Sequence, residues 1–335
     1  MKHISRRAVT TLLVGAGLTL GVPGVGFAQG KPVTIKFPIE YSIDVIPGLA
    51  NQDFKKRLEQ ASGGRIKVEL YADGSLYKGI DLLQAIVRGD ADMTTLVSAY
   101  WAAISPKVSA FDLPYAFPTH EAFYKAADDA GLRQLAFSEM ESKGVKVLAM
   151  LPYDYVVPGS RDKALIDLAD FKGQKMRAIG KVNSATLQAF GATPVPINIT
   201  EVATSLQQGV INGLNTPIDV YATYKWTDII KNVTYAKYYF AFYPWAVSKK
   251  FWDKLSADDQ ALIQKTAIEV AQDHRARARK AAEDSIASLR KAGVNVHEQT
   301  NAEREAWQNA SASVWTSVEG QFGKDFIGKL RSYSQ

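Results

Sequence analysis

GQKMRAIGKVNSATLQAFGATPVPINITEVATSLQQGVINGLNTP, residues 173–217, is the stretch whose reading decides the fold. It parses into a strand over Lys175–Ile179, a helix over about Ser184–Phe190, a strand over Pro194–Ile197, a second helix and a final turn. The Thr200 hydroxyl is suited to cap the second helix, and Gly213 to end it, since glycine takes a left-handed backbone at no steric cost. Arg177 stands on the first strand between Met176 and Ala178. Where a parallel strand runs out into a crevice, a guanidinium there can take a carboxylate through two hydrogen bonds. The other reading is a solvent-facing pair, because Lys175 and Arg177 share a strand face.

Working outward, the same unit recurs earlier in the chain. LLQAIVRGDAD at 82–92 aligns with LQQGVINGLNT at 206–216, so that Gln84 meets Gln208 and Gly89 meets Gly213. Before it stand a strand over Val33–Ile39, a helix from Pro47 to Ala61 with Leu49, Phe54, Leu58 and Ala61 inward, and a strand over Ile66–Tyr71. A helix over Ile80–Arg88 and a strand from Asp92 follow. This alternation predicts a parallel α/β unit, used twice. Glu40-Tyr41-Ser42 follows the first strand as a loop that can line a crevice. Tyr100 and Trp101 follow another strand end and have two readings, ligand wall or packing. Asp154-Tyr155 begins a strand crossing to a second domain, and Tyr235–Val247, which contains Trp245, is a strand or strand pair returning from it. Ser256, with Asp259 three residues on, starts a helix that runs to Lys291, about 50 Å at 1.5 Å per residue and long enough to span both domains. Its basic run, His274 to Lys280, reads as a solvated face.

The first 28 residues are a separate object. Lys2, Arg6 and Arg7 lead into a Gly-rich apolar run, and Gly26 and Ala28 satisfy the small-residue rule for cleavage before Gln29. Ser5-Arg6-Arg7 is the core of a twin-arginine export signal, with general secretion as the other route. The whole chain carries 40 basic and 34 acidic residues; removing the three basic residues of the segment leaves 37 against 34, or +3, too balanced for a nucleic-acid partner. There is no cysteine, hence no disulfide framework. No phosphate loop, dinucleotide fingerprint, HExxH or nucleophile elbow is present, and His120, His274 and His297 lack ligand spacing, so neither cofactor nor metal is expected.

The phrases ASGGRIKVELYADGSL (61–76), LLQAIVRGDADM (82–93), FDLPYAF (111–117), KGVKVLAMLPY (143–153), DFKGQKMRAIG (170–180), the 190–217 run and VSKKFWDKLSADDQ (247–260) are spread in order over the mature chain. In them the chain resembles the periplasmic solute-binding subunits of tripartite ATP-independent (TRAP) transporters, of the dicarboxylate-binding-protein (DctP) type. The resemblance implies an α/β two-lobe periplasmic binding protein with a central cleft, crossing strands and a long helix across both lobes. The expected boundaries are 29–152 and 243–281 for lobe I and 153–242 and 282–335 for lobe II. It implies a binding protein, not an enzyme, that hands a small organic acid to a membrane permease; a ligand sensor for a receptor and a secreted enzyme are the alternatives. A monomer is expected, with a dimer, the state of some relatives, as the alternative. The family's carboxylate-clamping arginine corresponds to Arg177 and its asparagine to Asn215. The second arginine that some members carry on the crossing strand is replaced by Tyr153, Asp154 and Tyr155, and the nearest arginine is Arg161. This points to a monocarboxylate, with Asp154 receiving a hydroxyl or ammonium if it faces the cleft and Tyr41, Tyr100, Trp101 and Trp245 as walls.

Overall fold

Alternating apolar strands and Gly-ended helices produce the expected α/β order. The computed structural model describes residues 31–334, and the export segment read over 1–28 lies outside them. The described strands are β1 (Val33–Pro38), β2 (Ile66–Tyr71), β3 (Met93–Thr95), β4 (Val145–Ser160), β5 (Lys175–Ala178), β6 (Thr193–Pro196), β7 (Gly213–Pro217), β8 (Asn232–Tyr235), β9 (Tyr239–Ser248) and β10 (Asn295–Glu298). β1 pairs in parallel with β2, and β5 in parallel with both β6 and β7. β3 departs from the all-parallel expectation: it pairs antiparallel with β9, which returns along β4.

Two strands hold the molecule together. The first part of β4 pairs with β9, and its far end lies between β7 and β8. The pairing of β4 with β9 slips after Pro152↔Phe242 and resumes at Tyr155↔Phe240, a bulge that breaks the side-chain alternation at Tyr153 and Asp154. The helix Ala257–Lys291 has the predicted bounds, and the Ser256 hydroxyl accepts from Asp259 N at 3.2 Å. Its basic run is a set of cross-braces: Arg275 pairs with Asp128, Arg277 with Asp53 and Arg279 with Glu121, while His274 is buried. No helix among the described residues is long and apolar enough to cross a membrane.

Local expectations fail at four points. Leu49 is half exposed and Ala61 is exposed too, because the helix Ile46–Ala61 turns Ala50, Asn51, Phe54 and Leu58 inward. The helix beginning after Thr200 spans only Val202–Gln207, and the Thr200 hydroxyl caps nothing. It ends at Gly209, which has φ +70°. Gly213 is instead the first residue of β7, where a Cβ would meet Gly159 O at 2.8 Å. Hence Gly89, a left-handed cap with φ +81°, and Gly213 are not equivalent; the echo lies in the order of elements, not in the residue alignment.

Candidate functional site

Strand ends converge on one small, mostly enclosed cavity. From β5 it receives Arg177, which is buried, whereas Lys175 on the same strand face is exposed at the strand's start. The flanking segments hold the guanidinium: Nε donates to Ile197 O at 3.0 Å and Nη1 to Asn215 O at 3.3 Å. Among the described residues Nη2 has no protein acceptor, so its donors are left for a guest. Burial lowers the Arg177 pKa, opposed by Tyr100 and Glu40, but an arginine stays protonated. Its charge is therefore permanent and uses two neutral carbonyls where a carboxylate would serve better.

Glu40 enters from the loop after β1 and is also buried. Its Oε2 accepts from Gly79 N at 2.9 Å. Burial pushes its carboxyl up to about 7, against the lowering effects of the Gly79 amide and Arg177. No ion pair joins it to Arg177 among the described residues. Gly79 has φ +47°, and a Cβ there would lie 2.9 Å from Asn198 Oδ1 and 3.1 Å from the Tyr100 hydroxyl. A side chain would hold those elements apart.

Asn215 on β7 and Asn183 on the helix Lys181–Phe190 add amides to the wall. Both side-chain atoms of Asn215 and the Oδ1 of Asn183 are buried without a hydrogen-bond partner. The rest is aromatic. Tyr41 and Tyr243 meet edge to face at 5.1 Å, and Tyr243 lies 5.6 Å from Tyr153. The Tyr41 hydroxyl is tied behind the wall to Thr95 and Asn51, and Tyr153 donates to Asp219 Oδ2 at 3.0 Å. Such a site can bind and orient a small anion. Among the described residues no cluster of His, Asp and Glu could hold a metal ion.

The family profile of "Bacterial extracellular solute-binding protein, family 7" matches residues 44–321. The chain belongs to this family. It is 30% identical, over 97% of its own length and 98% of the relative's, to the C4-dicarboxylate-binding periplasmic protein DctP of Rhodobacter capsulatus. The sugar acid binding protein of Advenella mimigardefordensis, solved in complex with galactonate, superposes with a TM-score of 0.86 at 24% identity, covering 91% of this chain and 98% of that one. A TRAP periplasmic solute binding protein of Sulfurospirillum deleyianum with bound succinate gives 0.85 at 24% identity, covering 90% and 99%. This DctP-type protein is thus a solute-binding protein of the TRAP class and not an enzyme, and its fold is the two-lobe α/β fold of that class.

Of the residues singled out in the sequence, the cavity gathers Arg177, Asn215 and Tyr41. Tyr100 lines an adjacent open groove and donates to Asn198 Oδ1 at 2.7 Å. The other four lie outside the cavity. Trp101 is core, with Nε1 donating to Leu96 O at 3.0 Å. Tyr155 is core, its hydroxyl donating to Phe117 O at 3.0 Å. Trp245 packs on Phe54 at 4.8 Å; it follows Tyr239, Ala241 and Tyr243 on one face of β9, but the helix Ile46–Ala61 has closed over that face by then. Asp154 faces away from the cavity and meets His120 Nε2 at 2.8 Å, because the β4 bulge gives the cavity to Tyr153. Sequence reasoning placed Glu40 only within a loop that can line a crevice, and missed Asn183, Tyr239 and Tyr243 as wall residues. Glu40 and Asn183 follow strand ends, where ligands bind in open α/β sheets, and the tyrosines were legible from the alternation of YFAFY.

Proposed function

We propose that this protein captures a small monocarboxylate in the periplasm and delivers it to a TRAP-type membrane permease. One observation carries the reading: the cavity wall contains one cationic side chain, Arg177, faced by a carboxyl group, Glu40. A second carboxylate on the ligand would be buried without a cation and beside an acidic side chain, a costly arrangement. Arg161 does not relieve it, since its guanidinium donates to Leu206 O and it is not in the cavity wall.

Arg177 clamps the carboxylate and Asn215 fixes its rotation. The division into lobes at 152/153 and 242/243 is supported by the pairing of Pro152 with Phe242 immediately before the β4 bulge. Closure then brings the loop after β1 and the helix from Gly79, on lobe I, against Arg177 and Asn198, on lobe II. Binding energy that exists only when both lobes touch the ligand shifts the population toward the closed form the permease reads. The test is a thermal-shift screen of monocarboxylates against C4 dicarboxylates. Monocarboxylates are expected to raise the melting temperature; a preference for succinate, fumarate or malate would overturn the reading.

A further inference from the structure

We infer that Glu40 selects a ligand that carries a hydrogen-bond donor, a hydroxyl or an ammonium group, besides its carboxylate. This rests on the monocarboxylate reading and narrows it. Glu40 is 4% exposed, and its Oε2 is committed to the Gly79 amide. Among the described residues Oε1 has no partner, and the side chain lines the cavity. Arg177, the cation of that cavity, spends its assigned hydrogen bonds on Ile197 O and Asn215 O rather than on Glu40. The site therefore holds two unfilled requirements of opposite kind: N–H donors at Arg177 and an acceptor oxygen at Glu40.

A carboxylate alone fills only the first. Placed against the ionised Glu40 carboxylate, the form present above neutral pH, the oxygen of a 2-oxo acid meets another acceptor, and both are left desolvated. A hydroxyl or ammonium on the same carbon donates to Oε1 instead. Asn183 Oδ1, a second unpartnered acceptor in the same wall, adds to the demand for donors. Asp154, the acid the sequence offered for this part, is closed off by His120.

Matched 2-hydroxy, 2-amino and 2-oxo acids on a short-chain, a branched and an aromatic skeleton, titrated calorimetrically into the ligand-free protein, test this. On the skeleton that binds, the hydroxy or amino acid is expected to exceed the oxo acid by about tenfold or more, since sites built to hydrogen-bond a substrate group reject analogues lacking it. Which of the two donors wins identifies the ligand class. Glu40→Gln is expected to reduce or reverse that ratio: the amide oxygen can keep the Gly79 bond while the amide nitrogen turns a donor into the cavity. Equal binding of oxo and hydroxy acids, or an unchanged ratio in a folded Glu40→Gln protein, overturns the inference and leaves the monocarboxylate reading standing. Binding of succinate with none of the matched monocarboxylates overturns that reading itself.

Discussion

Arg177 and Asp154 are both charged side chains buried in the same sheet, on β5 and β4 with β7 between them, and they differ in what completes them. Asp154 meets a side chain of matching chemistry at Oδ1, His120, packed under Tyr155 and Phe240, while its Oδ2 is sealed in the core away from the cavity. Arg177 meets two backbone carbonyls and then an empty volume. Burial alone therefore does not mark a binding residue. Of two buried charges, we propose that the one whose remaining hydrogen bonds point into the cavity is kept for a ligand, while the other, turned away from it, is part of the fold.

The contrast is broken most directly by truncating each side. Arg177→Ala is expected to weaken ligand binding by about 2–4 kcal/mol in calorimetry, through loss of a buried charge-assisted pair, with little change in the melting temperature of the empty protein. Asp154→Ala should do the reverse: about 2–3 kcal/mol lost in denaturant unfolding, because a buried histidine loses its partner, with ligand affinity nearly unchanged. Comparable binding losses in both variants would erase the distinction.

His274 sharpens the comparison as a buried group with no partner at Nε2. Burial, with Arg277 adding to it, lowers its pKa from 6.5 to about 4. The unfolded chain therefore binds a proton between those values that the folded chain refuses. Its contribution is full above 6.5 and is lost as the pH falls toward 4. At pH 5, urea titrations should show His274→Leu losing about 1–2 kcal/mol less stability from its pH 7 value than the parent. Taking the difference between the two proteins removes the opposing trend of Glu40 and Asp112, whose carboxyls burial pushes up to about 7. Identical pH profiles would show that His274 titrates normally. The smallest effect is at Asn215. Asn215→Ala should cost about 1 kcal/mol of binding and change the melting temperature little, since the only side chain its amide has to lose is the Tyr238 hydroxyl, which it meets without a well-formed hydrogen bond.

The fold was legible wherever local chemistry acts alone. Ser256 and the long uninterrupted helix behind it need no tertiary information, nor does the order of strands and helices around residues 173–217. Glycine was legible as a stop and not as a particular stop: Gly209 and Gly213 look alike in sequence, and only the closeness of β4 to β7 makes Gly213 a packing residue. The site was legible in part for the same reason. Arg177 and Asn215 are marked by the motif that contains them. Which aromatic faces the cavity depends on the bulge in β4 and on where the helix Ile46–Ala61 covers β9, and both are properties of pairs of elements. Trp101, Tyr155 and Trp245 were candidates by size, and size also suits a residue to the core.

The central claim is that one buried guanidinium faced by one carboxyl group defines the ligand. Denaturing the purified protein and identifying by mass spectrometry the acid it releases tests this most directly. The account predicts an acid with one carboxylate and a neighbouring hydroxyl or ammonium group. Release of a C4 dicarboxylate would contradict it.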